Sequence, residues 1–211
     1  MSTEITERQQ EIINVSLALI TESGIQSLTI KNLAKRIGFS ESAIYRHYEN
    51  KIEILVAILN YFKENTERLF TAELNAEGDA LTKINHLFQN QFKIFANSPS
   101  LVAVIFSEEL FRNEAILVKK VSEIMDNNFI TLTSIIKSGQ ENGELRTDVE
   151  EEHLAVVVMG TLRLFVKQWQ MSGYAFSLSE KGKELSNSVK IFIFINSYSK
   201  QGGISCYPKY P

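Results

Sequence analysis

An all-α fold follows from three features of this 211-residue chain. Apolar residues recur at spacings of three and four through successive segments, the period of a helix with one buried face. Several segments open beside a serine, threonine, asparagine or aspartate and stop at glycine, as helices do. Between Leu28 and Leu55 two short segments of this kind are joined by a tight glycine turn, and a third begins just behind them. About nine helices are expected: a helix-turn-helix head at residues 1–50, a larger helical body at 51–200 connected through the fourth helix, and a flexible tail at 201–211.

The first helix is expected over Thr6 to Ser23, with Ile12, Ile13, Val15, Leu17 and Leu19-Ile20 apolar and Gly24 ending it in the left-handed region. Thr29 is placed to cap a second helix that runs to Ile37 and stops at Gly38, and Ser40 to cap a third through His47 or Tyr48. Asn50 caps a long fourth helix carrying Ile54, Leu55, Ile58, Leu59, Phe62 and Leu69. Gly78-Asp79 interrupts the pattern before a fifth helix, Ala80 to Ala96, with Leu81, Ile84, Leu87, Phe88, Phe92 and Phe95 on its buried side. Ser98-Pro99 reads as a cap with proline in the first turn, opening a short sixth helix within Leu101 to Phe111.

A seventh helix is expected over Ala115 to Ser138, followed by a turn in GQENGEL, Gly139 to Leu145. Asp148 is expected to cap the eighth, which runs to about Met171. Its valine-rich stretch Leu154 to Gly160 favours strand residue by residue, but Leu162, Phe165, Val166 and Trp169 continue at helical spacing and decide for helix. Ser177 or Ser179 opens the ninth, with Leu185, Val189, Phe192 and Ile193.

Composition excludes several classes. Hydrophobic residues make up 44% and charged residues 22% of the chain, ordinary for a globular protein. No apolar run approaches the roughly 18 residues of a membrane span, and the polar start lacks the basic head and apolar stretch of a secretory leader. The one cysteine, Cys206, excludes an intrachain disulfide framework and fits a reducing cytoplasm. His86 and His153 stand alone, so no metal spacing is present. No glycine-rich phosphate cradle, serine elbow or nucleophile–base pair is found, and neither an enzyme nor a cofactor is expected.

The net charge of −3 hides a local excess of bases. From Thr29 to Lys51, five of them (Lys31, Lys35, Arg36, Arg46, Lys51) face only Glu41 and Glu49, a net of +3. A limited surface would thus meet phosphates while the body stays acidic. Ile30, Leu33, Ala34 and Ile37 form the packed face of the second helix. Ala34 leaves little volume where helices cross, Gly38 enters the turn without steric penalty, and Ile44 supplies the packing residue of the third helix. Small residue, turn glycine and branched residue in that order are far more specific together than apart.

With Ile44 turned inward, Glu41, Ala43 and Tyr45 face outward beside Ser40 and Ser42, with Arg46 and His47 following. A helix entering the major groove needs small or hydrogen-bonding residues at its N-terminal half. Thr29 and Ser40 can cap a helix, bind phosphate, or do both. Tyr45, His47 and Lys51 donate hydrogen bonds suited to phosphate oxygens. Glu41 either accepts from cytosine N4 or stays solvated at the helix start. Tyr48 suits an anchor against Leu55.

LTIKNLAKRIGFSESAIYRHYENKIEIL closely resembles the amino-terminal module of TetR-family transcriptional regulators, through Thr29, Ala34, Gly38, Ser40, Ala43, Tyr45, Tyr48, Lys51 and Leu55. The family's acidic residue after the lysine is Ile52 here, with Glu53 next, a change of capping or surface. The match covers about residues 10 to 60. It implies an all-helical homodimer on a palindromic double-stranded DNA operator, often a repressor until a small molecule loosens the complex.

For the body, the last two long helices offer a dimer surface at Val157, Gly160, Leu164, Ile191, Phe192 and Ile195; the alternative is an ordinary interior. An apolar or amphipathic effector would meet Phe88, Phe92, Ile105, Phe106, Met125, Phe129, Phe165 and Trp169, with Glu108, Asn128 and Gln168 as polar edges. The alternative is a packed core, and with it a structural or partner-controlled DNA binder without an effector.

Overall fold

The structure, a computed structural model, describes residues 5–107, 112 and 114–194. Nine helices lie within them: α1 (Glu7–Ser23), α2 (Ile30–Ile37), α3 (Glu41–Tyr45), α4 (Lys51–Asn75), α5 (Ala80–Asn97), α6 (Pro99–Ile105), α7 (Ala115–Glu141), α8 (Glu151–Met171) and α9 (Leu178–Ile193). A 3-10 turn, Ile25–Ser27, which the sequence pattern does not announce, joins α1 to α2. The only sheet-like pairing among the described residues is an isolated bridge between Leu145 and Phe194. The fold is all-α.

Local chemistry sets most boundaries. Thr6 caps α1 in a reciprocal box with Gln9, and Gly24 ends it at φ 76°, ψ 170°, positive but outside the left-handed helical region expected. Gly38, at φ 83°, ψ 28°, does occupy that region and stops α2. Asn50 Oδ1 accepts from the Ile52 and Glu53 amides at 2.8 and 3.1 Å, while Glu53 Oε2 accepts from the Glu49 amide at 2.7 Å. Glu53 therefore does the capping that Ile52 cannot. Of the two candidate serines, Ser177 caps α9.

Three boundaries depart from expectation. α3 ends at Tyr45, short of His47. Asp148 does not cap α8: both its carboxylate oxygens hold Arg146, at 2.7 Å each, and Glu150 takes the cap position with no side-chain bond. A two-pronged guanidinium contact outweighs a single cap bond, and Glu151 and Glu152 already meet the positive end of the helix. α7 runs through Gly139 to Glu141. Gly139 serves close approach rather than the turn, since a Cβ there would lie 2.4 Å from the Ala80 Cβ and 2.9 Å from Leu145 Cδ1. Gly143, at φ 73°, makes the turn.

α1–α3 pack together against the start of α4, whose remaining length lies along α7. α5 packs on α9, α7 on α8, and α6 touches both α1 and α8. Aromatic rings fill the body: Phe62 stacks on Phe95, Phe88 meets Phe92 edge-on, and Phe92 continues to Phe165 and Phe165 to Phe176, all with centroids 5.5–5.8 Å apart. Each such pair adds roughly 0.5–1.5 kcal/mol beyond simple burial.

Candidate nucleic-acid interface and ligand chamber

α2 and α3 are held by Leu33, Ala34 and Ile44, which are buried. Their caps are built as the residue types suggest: Thr29 Oγ1 accepts from the Asn32 amide at 3.1 Å and Ser40 Oγ from the Ala43 amide at 3.3 Å. Ser40 and Ser42 hydroxyls lie 2.9 Å apart. This leaves Glu41, Ser42, Tyr45 and Arg46 on the outer side of α3, with Ala43 and His47 half-buried. Thr29, Ser40 and Lys51 are exposed around them. Tyr48 is buried, and that burial, with the Glu53 charge, pushes its phenol above the ordinary value.

The cationic face is smaller than the count of bases suggested. Arg36 is held by Glu22 at 2.5 Å, while Lys31, Lys35, Arg46 and Lys51 stay exposed. His47 also borders a cleft shared with Asn50, Val56, Glu114 and Ile116. Lys51 is the first residue of α4, at the positive end of the helix dipole, where a cation is locally unfavourable.

In the body, α4, α5, α6, α7 and α8 enclose a cavity of about 360 Å3. Of the residues expected to line it, Phe88, Ile105, Phe106, Met125, Asn128 and Phe129 do so. Phe92, Phe165, Gln168 and Trp169 do not. Phe92 is fully buried against Gly182, Phe165 joins the Phe92 and Phe176 rings, Trp169 Nε1 donates to the Phe176 carbonyl at 2.9 Å, and Gln168 is exposed. Phe92 thus belongs to the face of α5 that packs on α9, and the other three to the sides of α8 turned away from the cavity. Glu108 lies outside the described residues.

The sequence argument missed Phe62, Phe70, Gln91, Val156, Met159 and Arg163 among the lining residues. Val156, Met159, Gly160 and Arg163 recur at three, four and seven along α8, so their shared face was available from spacing alone. The arginine's charge obscured it. Met125, Asp126, Val156 and Gly160 are exposed and form the rim.

On the outer side of α8 and α9, Val157, Leu164, Ile191 and Phe192 are 49%, 61%, 79% and 66% exposed. That is far more than large apolar side chains in a lone domain need show. Gly160 is exposed beside them, and apart from its chain neighbours and its own helix backbone nothing lies within 4 Å of where its Cβ would stand. Met171 and Phe194 extend the strip; Ile195 lies outside the described residues. Among the described residues no cluster of acidic, histidine or cysteine side chains suits a metal ion, and no helix is long and apolar enough to cross a membrane.

Two family models cover most of the chain: residues 12–58 match the bacterial regulatory proteins of the tetR family, and residues 59–192 the C-terminal region of YsiA-like proteins. The chain belongs to the TetR family. Among its TetR-family relatives, the fatty acid metabolism regulator protein of Bacillus subtilis (strain 168) is 24% identical over 185 residues, spanning 86% of this chain and 91% of that one. The nucleoid occlusion factor SlmA of Haemophilus influenzae (strain PittGG) is 23% identical over 168 residues, 77% of each. The fatty acid degradation regulator FadR of Bacillus halodurans superposes with a TM-score of 0.78 at 21% identity, over 89% of this chain and 97% of that one. FadR of Bacillus subtilis, solved in complex with stearoyl-CoA, gives 0.72 at 23% identity, over 87% and 96%. The last two likenesses show the same fold across 89% and 87% of the chain.

Proposed function

We propose that this TetR-family regulator acts as a homodimer on a palindromic operator, repressing until an apolar or amphipathic small molecule enters the body and releases it. The observation that carries this reading is α6: Ile105 and Phe106 line the cavity, and the same helix packs against α1 of the head. A ligand that needs α6 displaced would bind best when the head is displaced too, and the difference in affinity sets the shift. Tenfold weaker operator binding requires only about 1.4 kcal/mol of such coupling.

Dimerisation is supported by the exposed strip on α8 and α9 and by the size of the head. A five-residue α3 reaches few bases, and a two-fold pair would read two half-sites roughly 34–36 Å apart. The residues proposed for DNA are Thr29, Ser40, Glu41, Ser42, Ala43, Tyr45, Arg46, His47 and Lys51, on a head at 1–50 with the body following from 51. The ligand named for the Bacillus subtilis FadR structure favours an amphiphile. The second reading is a structural or partner-controlled DNA binder without an effector, and likeness to SlmA, a nucleoid occlusion factor, favours that side.

Selection from genomic fragments at low salt tests the first half. A palindrome should be enriched; no enrichment with a folded dimer would sink DNA regulation. Adding amphiphiles to the operator complex tests the second half, and a complex that none of them loosens leaves the partner-controlled reading.

A further inference from the structure

The cavity wall is apolar except at a few points, and two of these lack the partners that buried polar groups normally find. Gln91 is 6% exposed and its Oε1 has no hydrogen-bond partner. Arg163 is half-buried, and loss of solvent lowers its pKa. Its guanidinium lies 4.6 Å from the centre of the Phe106 ring, and Nη1 lies 3.4 Å from Met125 Sδ. Neither contact supplies a negative charge, and Arg163 is in no ion pair among the described residues. A half-buried guanidinium held by a ring and a thioether keeps its donors free of any counter-charge and so is placed to receive an anion.

We infer that the cavity takes an amphiphile with an anionic head, the head pairing with Arg163 near the rim and the chain lying among Phe62, Phe88 and Phe129. The inference rests on the effector reading above and adds to it the group that selects charge. A planar guanidinium offers two parallel N–H donors, which suits a carboxylate or a phosphate. Gln91, deeper in the wall, is an amide left for a polar atom along the chain. The volume of about 360 Å3 falls at the small end of ligand pockets, which run roughly from 300 to 1,000 Å3. Asp126 on the same rim, accepting from Ser122 Oγ at 3.2 Å, works against an anion and gives a control of opposite sign.

Calorimetric titration of the full-length protein with dodecanoate, dodecanol and dodecanoyl-CoA tests it. Wild type should bind dodecanoate or the thioester at least tenfold tighter than dodecanol. Arg163→Gln should lose that preference while still binding dodecanol, Arg163→Lys should keep part of it, and Asp126→Asn should strengthen the anion several-fold. Loss confined to dodecanoate identifies a free carboxylate, and loss for the thioester identifies its phosphates; both sustain the proposal. An unchanged preference in Arg163→Gln overturns it and leaves the effector reading standing. If wild type binds none of the three, both fall. Should Arg163→Gln fail to fold, Asp126→Asn decides alone, with unchanged anion affinity as the negative result.

Discussion

Gly182 faces Phe92 so closely that a Cβ on it would lie 2.3 Å from the ring's Cδ2. α9 can therefore approach α5 only because residue 182 has no side chain, and Phe92 fills the space. In isolation Gly182→Ala would strengthen α9 by about 1 kcal/mol through helix propensity. Here the methyl group meets a fully buried ring, and overpacking of this kind costs about 1–3 kcal/mol. Net destabilisation is expected, read as a lower urea midpoint with unchanged slope. A rise in the midpoint would mean that Phe92 turns aside freely.

Lys51 stands at the first position of α4, where its charge opposes the helix dipole. Lys51→Ala should leave thermal stability unchanged or slightly higher yet weaken operator binding. The slope of log K against log salt should fall by about 1 for each head. Tyr45→Phe should weaken binding with no change in that slope, since it removes a donor and no charge. Equal slopes for wild type and Lys51→Ala would remove Lys51 from the phosphate contacts.

Phe192, 66% exposed on α9, is expected to meet its counterpart surface on a second copy. Phe192→Glu places a charge in that seam on both subunits at once. Light scattering should then give the mass of a single chain, with the helical circular dichroism retained. An unchanged mass would take Phe192 out of the interface.

Asp79 caps α5, accepting from the Thr82 amide at 2.7 Å, and this bond holds its carboxyl below the ordinary value of 3.8. A carboxyl with a lowered folded pKa adds stability that is complete above its unfolded value and fades as pH falls through the folded one. Asp79→Ala should therefore cost about 1 kcal/mol near neutrality. The gap to wild type should begin to narrow as pH falls below about 3.8 and close only below the lower folded value. A gap that does not narrow at all with falling pH would assign the loss to packing.

Features decided within a few residues were legible beforehand. Thr29, Ser40 and Asn50 as caps and Gly38 as a turn depend on neighbours close in the chain, and the small-residue, glycine, isoleucine series fixed the head. Contacts across long separations were not. Gly139 looked like a turn because its reason, Ala80, lies far back in sequence. Asp148 looked like a cap because its bond to Arg146 competes with the helix start. Phe88 and Phe92 sit one turn apart on α5, yet only Phe88 borders the cavity. Aromatic content can indicate a thick core without telling a packed side from an open one.

Gly160 borders the cavity rim and also stands in the exposed strip of α8. Any side chain there would narrow the mouth of the cavity and stand out from the face on which a second copy is expected to rest. Changes that keep the second-copy surface intact are thus freer to accumulate at lining positions of α4 and α5, such as Phe62 and Gln91, than at Gly160. Over evolutionary time such a chain can acquire a new signal from one side of its chamber while the other side preserves its assembly.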